Sequence, residues 1–360
     1  MAIKPSTQTL GQLAQGAIAK YLKQVVASEQ PVLADTDPEN LHQMRVGLRR
    51  LRTAIQVFAV GVKLPKAGCE PRVAALGRQL GKLRDLDVIA ATLRDRYAPD
   101  LPDEEQQRLG TVLLQLEKQR RRTFKQVKKQ LKNKRYEGLA ESLEAWVQAP
   151  EVTTLASLPA PTLVPDLILP LVSRLWLHPG WLVGTRLTPS GPKVDTRLDL
   201  AATDALISEQ GPCLHSLRKQ VKQVRYQLRL VAELYDNALE ADIQRISAMQ
   251  ETLGDLQDSS VLEAFIIDQV PQAEPQMPTL FALLADRRHR AWKQWQTHQQ
   301  YYLDPSHRQA LRLCLAQPAG ASAQDVAATS KTKSSGRNSR KASSAKGARE
   351  RGSEGKFSSV

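Results

Sequence analysis

Apolar residues at Leu10, Leu13, Ala17, Tyr21 and Val25 recur at steps of three and four, the spacing that lines one face of an α-helix, and predict a helix over residues 7–28. Pro31 and the polar stretch 35–40 end it. The period resumes over 39–60, where Asp37 is placed to cap the new helix and Pro38 takes the first position, whose N–H has no intrahelical partner to lose. Gly61 and Pro65 punctuate its end. Two more helices are predicted over 71–97 and 102–147. The second opens on Asp103, Glu104 and Glu105, acidic side chains that suit the positive end of a helix dipole. Residues 7–149 therefore read as a unit of four helices.

A Pro-, Ala-, Thr- and Ser-rich stretch at 150–165 reads as a linker, after which the plan repeats less regularly over 166–302. A short helix at 166–177 precedes an insertion at 179–211, rich in Pro and Gly, with a hairpin predicted around Thr188 to Lys193. Helical periodicity returns at 212–237, 239–269 and 277–302. Residues 318–360 are Ser, Ala, Gly, Lys and Arg with almost no bulky apolar group. Such a segment cannot bury enough surface to offset the entropy of ordering and is expected to be disordered. The fold class that follows is all-α: two tandem four-helix bundles within residues 7–302, and a basic tail.

The two halves share sequence. His42-Gln43-Met44-Arg45-Val46-Gly47-Leu48-Arg49-Arg50-Leu51-Arg52 matches, at a shift of 173 positions, His215-Ser216-Leu217-Arg218-Lys219-Gln220-Val221-Lys222-Gln223-Val224-Arg225. The same shift lays Leu80-Gly81-Lys82-Leu83-Arg84-Asp85 on Leu253-Gly254-Asp255-Leu256-Gln257-Asp258, and Val88 on Val261. A third match sets Arg122-Thr123-Phe124-Lys125-Gln126-Val127 against Arg290-Ala291-Trp292-Lys293-Gln294-Trp295 at a shift of 168, as a loop five residues shorter would give. Matches in common register imply an internal duplication, with the bundles related by a pseudo-two-fold axis and equivalent helices meeting along a central seam.

Both copies carry a cationic stripe. At about 100° per residue, with His42 at zero, Arg45, Arg49 and Arg52 fall near about 300°, about 340° and about 280°. Met44, Leu48, Leu51, Ile55 and Phe58 lie between roughly 160° and 240°, on the opposite face. In the second copy His215, Arg218, Lys222, Arg225 and Arg229 oppose Leu217, Val221, Val224, Leu228 and Val231. Arg50 and Lys219 are counted with the stripes. Arg122, Lys125 and Lys129 on the fourth helix, Arg290 and Lys293 on the eighth and Lys20 on the first extend the basic surface. Solvated helix faces are commonly rich in Lys and Arg, and what sets these apart is their return in register, each led by a histidine. Arg84 with Asp85, and Asp258, read as structural ion pairs, and Trp292 and Trp295 as core.

Charge supports this direction. With 51 basic and 37 acidic residues the chain carries a formal +14, and its natural partners are polyanions: inorganic polyphosphate, nucleic acid or an anionic membrane surface. Arg forks grip pairs of phosphate oxygens and Lys adds compact charge, while each contact releases counterions. Three scattered cysteines, Cys69, Cys213 and Cys314, support neither a disulfide framework nor a Cys-type zinc site. There is no Gly-rich phosphate loop, no His-Glu-x-x-His and no carboxylate cluster suited to Mg²⁺, so neither an enzyme, a metal site nor a cofactor is expected. Without a signal-like N-terminus or about 18 consecutive uncharged apolar residues, a cytoplasmic protein with no membrane partner is expected.

The spacing His-x-x-Arg-x-x-x-Arg/Lys-x-x-Arg, followed some forty residues later by Leu-Gly-x-x-x-Asp, resembles the CHAD family over roughly Thr7 to Tyr302. That resemblance implies two four-helix bundles about a pseudo-two-fold axis, a basic surface or pore between them, and non-hydrolytic binding of inorganic polyphosphate, at granules of that polymer where they form. It implies binding roles for His42, Arg45, Arg49, Arg52, His215, Arg218, Lys222 and Arg225. The second copy departs from the first at Gln257, Ser260 and Gln223, where the first has Arg84, Asp87 and Arg50. The Glu-x-Glu-x-Lys motif of the triphosphate-tunnel (CYTH-type) domain often fused to this family does not occur, so the module reads as stand-alone. Nucleic acid is the rival partner, held nonspecifically by the basic tail and faces. Only 5% aromatic residues and no base-reading motif speak against it.

Overall fold

A computed structural model describes residues 8–319. Apart from one hairpin, its regular elements are helical. The tail expected to be disordered lies, from residue 320 onward, outside the described residues.

Local chemistry accounts for the first helices. Helix α1 (Leu10–Ala27) starts at a reciprocal cap: Gln12 N donates to Thr9 Oγ1 at 3.2 Å, and Thr9 N donates to Gln12 Oε1 at 3.0 Å. Its buried stripe is Leu10, Ala14, Ile18, Leu22 and Val25, a slight rotation from the periodicity reading, with Leu13, Ala17 and Tyr21 half-buried at its edge. Pro31 does not end helical structure; it sits in the first turn of a short helix α2 (Glu29–Ala34), where a missing N–H is tolerated. Helix α3 (Pro38–Val57) has the expected cap, Glu39 N donating to Asp37 Oδ1 at 2.8 Å. Helix α4 (Glu70–Thr92) widens into a π turn over Leu93–Tyr97.

The span expected as one helix over 102–147 is two, α5 (Asp103–Leu131) and α6 (Lys134–Gln148). Asn133 makes the break, accepting from Arg135 N at 2.9 Å as the cap of α6. The linker at 150–165 shrinks as well, because α7 (Ala160–Trp176) begins inside it and carries Pro165 and Pro170 within the helix. Local propensity opposes those prolines. Packing overrides it, since Val164, Ile168, Val172 and Leu175 are fully buried in the core. The span Ala160–Leu182, α7 with the turn that follows it, is long and apolar enough to cross a bilayer by length and composition alone, and here the Val164, Ile168, Val172 and Leu175 stripe faces protein.

The predicted hairpin is present as β1 (Thr185–Thr188) and β2 (Gly191–Val194), antiparallel with Thr185 opposite Val194. The last part of the insertion is helical: α8 (Leu200–Val231) starts twelve residues before the expected boundary, capped by Asp199, and runs through Pro212. Then come α9 (Glu240–Gln269), a single turn α10 (Ala273–Gln276) and α11 (Pro278–Leu303). Helix α12 (Pro305–Ala316) lies past the expected domain end at 302; its Leu311 and Leu315 are fully buried and it packs on α7.

The insertion is anchored by α11. Fully buried Gln299 donates from Nε2 to the carbonyls of Trp181 and Val183, both at 2.8 Å. Gly184 adopts φ +70°, and a Cβ there would stand 2.5 Å from the ring of Trp292. Trp292 and Trp295 are core residues, the latter packed 5.3 Å from the ring of Trp181.

The core is not divided one to each half, since both of its apolar clusters draw side chains from the two halves. Side chains of α1, α3 and α4 join those of α7, α8, α9, α11 and α12 in a single apolar cluster. A second, smaller core ties the far ends of the halves, with Leu93, Leu109 and Leu116 against Leu262, Ile266, Leu280 and Leu284. Buried Glu105 locks that junction by accepting from Thr279 N and Leu280 N, both at 3.0 Å, so that a side chain of α5 caps the N-terminus of α11. Glu105→Gln keeps the shape and removes the charge; urea unfolding should register a loss of about 1–2 kcal/mol. An unchanged midpoint would show that the charge contributes nothing there.

Both halves also contain a bridging arginine. Arg120 on α5 donates to Asp35 at 2.6 and 2.8 Å and to Asp87 at 2.6 Å. Arg288 on α11, at the same shift of 168 as the third sequence match, bonds Asp204 at 2.8 Å and Glu263.

Candidate functional site

Helices α3 and α8 pack against each other, α3 also contacting α1 and α4 and α8 contacting α7, α9 and α11. Both are drawn into the core by the apolar faces read from sequence, Met44, Leu48, Leu51 and Ile55 on one and Leu217, Val221, Val224 and Leu228 on the other. With those faces buried the cationic faces are left outside the core, and where α3 packs on α8 Arg49 and Arg225 come together at Tyr226.

At that seam Arg49 Nη1 donates to Tyr226 Oη at 3.2 Å, and its guanidinium carbon stands 5.4 Å from the Tyr226 ring. Arg225, from the other helix, approaches the same ring at 4.8 Å and donates to Ser247 Oγ at 3.0 Å. A cavity of about 400 Å³ opens here, lined by His42, Arg49, Arg50, Arg225, Tyr226 and Arg229, with Tyr21 from α1 and Gln250 from α9. Among the described residues no carboxylate lines it.

Lys222 lies within the field of four arginines, Arg45 and Arg49 across the seam and Arg218 and Arg225 on its own helix. Burial, and then those like charges, pull its ammonium down to about 7. His42 is likewise held below the ordinary histidine range, first by burial and then by the positive charge of Arg84; Glu39 opposes the shift. Among the described residues Arg49, Arg50, Lys222 and Arg225 make no ion pair with any carboxylate, and the buried Nε of Arg225 has no acceptor. Half-buried cations are ordinarily paired.

The Leu-Gly-x-x-x-Asp motif has a positioning role in both halves. Arg45 Nη1 donates to Gly81 O at 3.4 Å and lies 3.5 Å from Asp85 Oδ1. Arg218 Nη1 lies 3.3 Å from Asp258 Oδ1 and 3.2 Å from Gln257 Oε1. A Cβ on Gly81 would stand 3.5 Å from Arg45 Nη2, and one on Gly254 only 3.1 Å from Arg218 Nη2. Each glycine makes room for a guanidinium, and each aspartate, more than half exposed, reaches it from the solvent side.

The remaining candidates divide. His215 does not join the seam: it bonds Gln257 through Nδ1 and stands on the wall of a separate cavity of about 1170 Å³, lined largely by apolar groups such as Ile207, Leu253, Ile267 and Phe281. Arg52 turns away to pair with Glu70. Arg229 borders the seam cavity while paired with Glu240 at 2.8 Å. Lys219 is exposed on α8, and Lys20 is exposed on α1. Arg122, Lys125 and Lys129 form an exposed row on α5, which packs on α4 and α6, and none of them lines the seam cavity. Arg290 and Lys293 are exposed on α11, Arg290 pairing with Asp286 at 2.8 Å.

Sequence reasoning passed over Tyr226, Tyr21 and Gln250 as lining residues, and the effect of the Arg84 charge on His42. For Tyr226 a signal existed: it directly follows Arg225 within the second stripe. Asp85 and Asp258 do form ion pairs, but Asp85 pairs with Arg45 rather than with Arg84, and Asp258 pairs with Arg218; among the described residues Arg84 makes no ion pair. Among the described residues no group of three or more His, Cys, Asp or Glu is gathered to hold a metal ion.

Comparison with known proteins bears on this architecture. The fold is similar to the CHAD domain from the plant Ricinus communis, with 22% sequence identity and a TM-score of 0.52 over 88% of this chain and 96% of that one. It is similar to PptA from Streptomyces chartreusis at 16% identity, with a TM-score of 0.59 over 81% of this chain and 100% of that one. No curated protein sequence matches the chain. The family model of the CHAD domain matches residues 16–267, a span that includes α3, α8 and the seam between them, and the chain belongs to the CHAD family.

Proposed function

We propose that this protein binds inorganic polyphosphate, without cleaving it, along the α3–α8 seam. The observation that carries the reading is the half-buried group Arg49, Arg50, Lys222 and Arg225, gathered from both helices and, among the described residues, with no carboxylate partner and with a guanidinium N–H lacking an acceptor. Collecting like charges in this way costs stability, and phosphate oxygens supply the counter-charge and acceptors that the chain does not. Arg45 and Arg218, pinned by exposed aspartates, continue the ridge at one end, and the exposed rows on α5 and α11 give a long polymer further contacts. Absence of lining carboxylates favours holding over hydrolysis, since divalent-metal phosphoryl chemistry needs them. Cytoplasmic polyphosphate, granules included, is the matching cellular ligand.

Nucleic acid has the same backbone charge, and a direct competition separates the two. With labelled RNA bound, unlabelled long-chain polyphosphate at equal phosphate concentration should displace it, both for the full chain and for a version ending at Gln317. Failure to displace overturns the polyphosphate reading. A contribution from the tail shows as tighter RNA binding by the full chain alone.

Binding should also be proton-linked. Free Lys222 sits near half-protonation at about 7, and an adjacent polyanion favours its charged form and raises that value. Binding therefore takes up a proton above pH 7, and affinity falls as pH rises toward 9, by at most about tenfold per pH unit for one proton. Calorimetry in buffers of different ionisation enthalpy measures the uptake. Lys222→Arg should flatten the profile, and an equally steep profile in that variant would remove Lys222 from the account.

A further inference from the structure

We infer that the groove between α8, α9 and α11 is a docking site for a basic amphipathic helix of a partner protein. The inference does not draw on the seam reading and gives the chain a second, protein-binding face. Three observations carry it: the shape of the groove, the way its walls differ from the matched positions of the first half, and the charges that line it.

The groove is the cavity of about 1170 Å³ on whose wall His215 stands. Sites built for single small molecules are usually smaller, roughly 300–1,000 Å³. Along α9 the lining residues Leu253, Leu256, Ser260, Ala264 and Ile267 recur at steps of three and four, so the groove follows one face of that helix. At about 1.5 Å per residue this face runs for about 21 Å, or about four helical turns. Ser208 and Gly211 on α8 and Ala282 and Ala285 on α11 also line the groove, and such small side chains let another backbone come close. Val261 and Ile267 leave about half of their surface open to water, and Ala264 and Ala282 are exposed with them. An apolar strip left open in this way marks an interaction surface. A helix with apolar anchors three, four and seven positions apart fits a groove of this form. The hairpin of β1 and β2 does not line it, which sets strand addition aside.

The shift of 173 lays Arg84, Asp87 and Arg94 of the first half on Gln257, Ser260 and Ile267, and the shift of 168 lays Leu114 and Glu117 on Ala282 and Ala285. At every one of these positions the groove has an uncharged or a smaller side chain. Helices α4 and α5 carry long and charged groups at the matched places, so the fold itself does not require a hollow apolar wall there.

The charged groups of the lining are Asp204, Glu263 and Glu274 against Arg288, three carboxylates to one guanidinium. Arg288 is shared by Asp204 and Glu263, while exposed Glu274 makes no ion pair among the described residues. The groove is thus acidic on a chain whose formal charge is +14. At about 0.15 M salt the field of an exposed charge fades within about 8 Å, so the local carboxylates decide which partner charge is favoured. Lysine or arginine flanking an apolar stripe supplies the complement.

The probe is a fluorescein-labelled synthetic helix of about four turns, with leucines three and four apart and lysines along the flanks. One control replaces its lysines by glutamates, and another scrambles the sequence so that no stripe forms. In fluorescence anisotropy with the full chain at about 0.15 M salt, the lysine helix should bind at least about tenfold more tightly than either control. Ala264→Arg combined with Ala282→Arg fills the groove from two exposed positions and places cations in it. Circular dichroism of that variant should be unchanged while affinity for the lysine helix falls at least about tenfold. The milder Glu274→Gln should weaken the lysine helix by about threefold and leave the glutamate helix unaffected. Equal binding of the lysine and glutamate helices, or lysine-helix binding untouched by the double variant, overturns the proposal. Nile red entering the groove while no helix binds would assign it to a small apolar ligand instead. A dimer in sedimentation that the double variant abolishes would assign it to a second copy of the chain, and either result also overturns the proposal.

Discussion

Replacing Arg49 and Arg225 together by alanine will lower polyphosphate affinity by about two orders of magnitude while leaving the helical signal unchanged. Each residue is a half-buried guanidinium without a carboxylate partner among the described residues, and a hydrogen bond to a charged group contributes roughly 1.5–3 kcal/mol. Two of them amount to roughly 3 kcal/mol or more, which is about a hundredfold at about 1.4 kcal/mol per decade. Strict additivity is not expected, because both side chains engage Tyr226. The single variants complete a double-mutant cycle, and their coupling reports whether one phosphate group bridges the pair. Loss of two cations should also shallow the salt dependence of binding. The free protein should become no less stable, since like-charge repulsion at the seam is relieved. Undiminished affinity in a fully helical double variant would refute the site.

Arg120→Ala will act in the opposite way, destabilising the fold by about 3–5 kcal/mol and leaving polyphosphate affinity at low temperature close to that of the wild type. Its guanidinium binds Asp35 in a two-pronged contact and reaches Asp87, whose side chain is only 4% exposed. Without the arginine, the Asp87 carboxylate is stranded in the interior. Urea unfolding measures the loss, and Arg288→Ala offers a parallel test in the second half, where Asp204 and Glu263 would be left facing each other. A loss below about 1 kcal/mol for Arg120→Ala would show that the buried pair is solvated well enough to stand alone. Together with the seam variants, this pair separates arginines that hold the protein from arginines that hold its ligand, a distinction that composition cannot make.

How far each feature could be read depends on the range of the forces behind it. The α3 cap at Asp37, the opposed apolar and cationic faces of α3 and α8 and the hairpin near Thr188 are set by residues within a few positions of one another, and all were legible. Asn133 was a local signal too, and the break it imposes between α5 and α6 could have been read from its capping preference. Pro165, Pro170 and Pro212 misled in the other direction. Their local cost is real, and burial of the surrounding apolar stripes outweighs it, a comparison available only once the neighbours of α7 and α8 are known. The terminal helix α12 was missed because two buried leucines among polar residues give too faint a period.

By itself, the chain's order of residues determined that the protein is helical and that two stretches 173 positions apart share a histidine-led cationic stripe, the charge on which the proposal of a polyanionic partner rests. Those properties are carried by side-chain chemistry and by the 3.6-residue repeat. Only the tertiary structure decided which of the cations meet. Packing of α3 on α8 brings Arg49 to Tyr226 and rings Lys222 with arginines, while His215 is left on the wall of an apolar cavity and Arg52 against Glu70. The reason is that a pattern along one helix gives the direction of a side chain relative to its own axis, whereas its electrostatic surroundings depend on which other helix lies against that face and at what rotation.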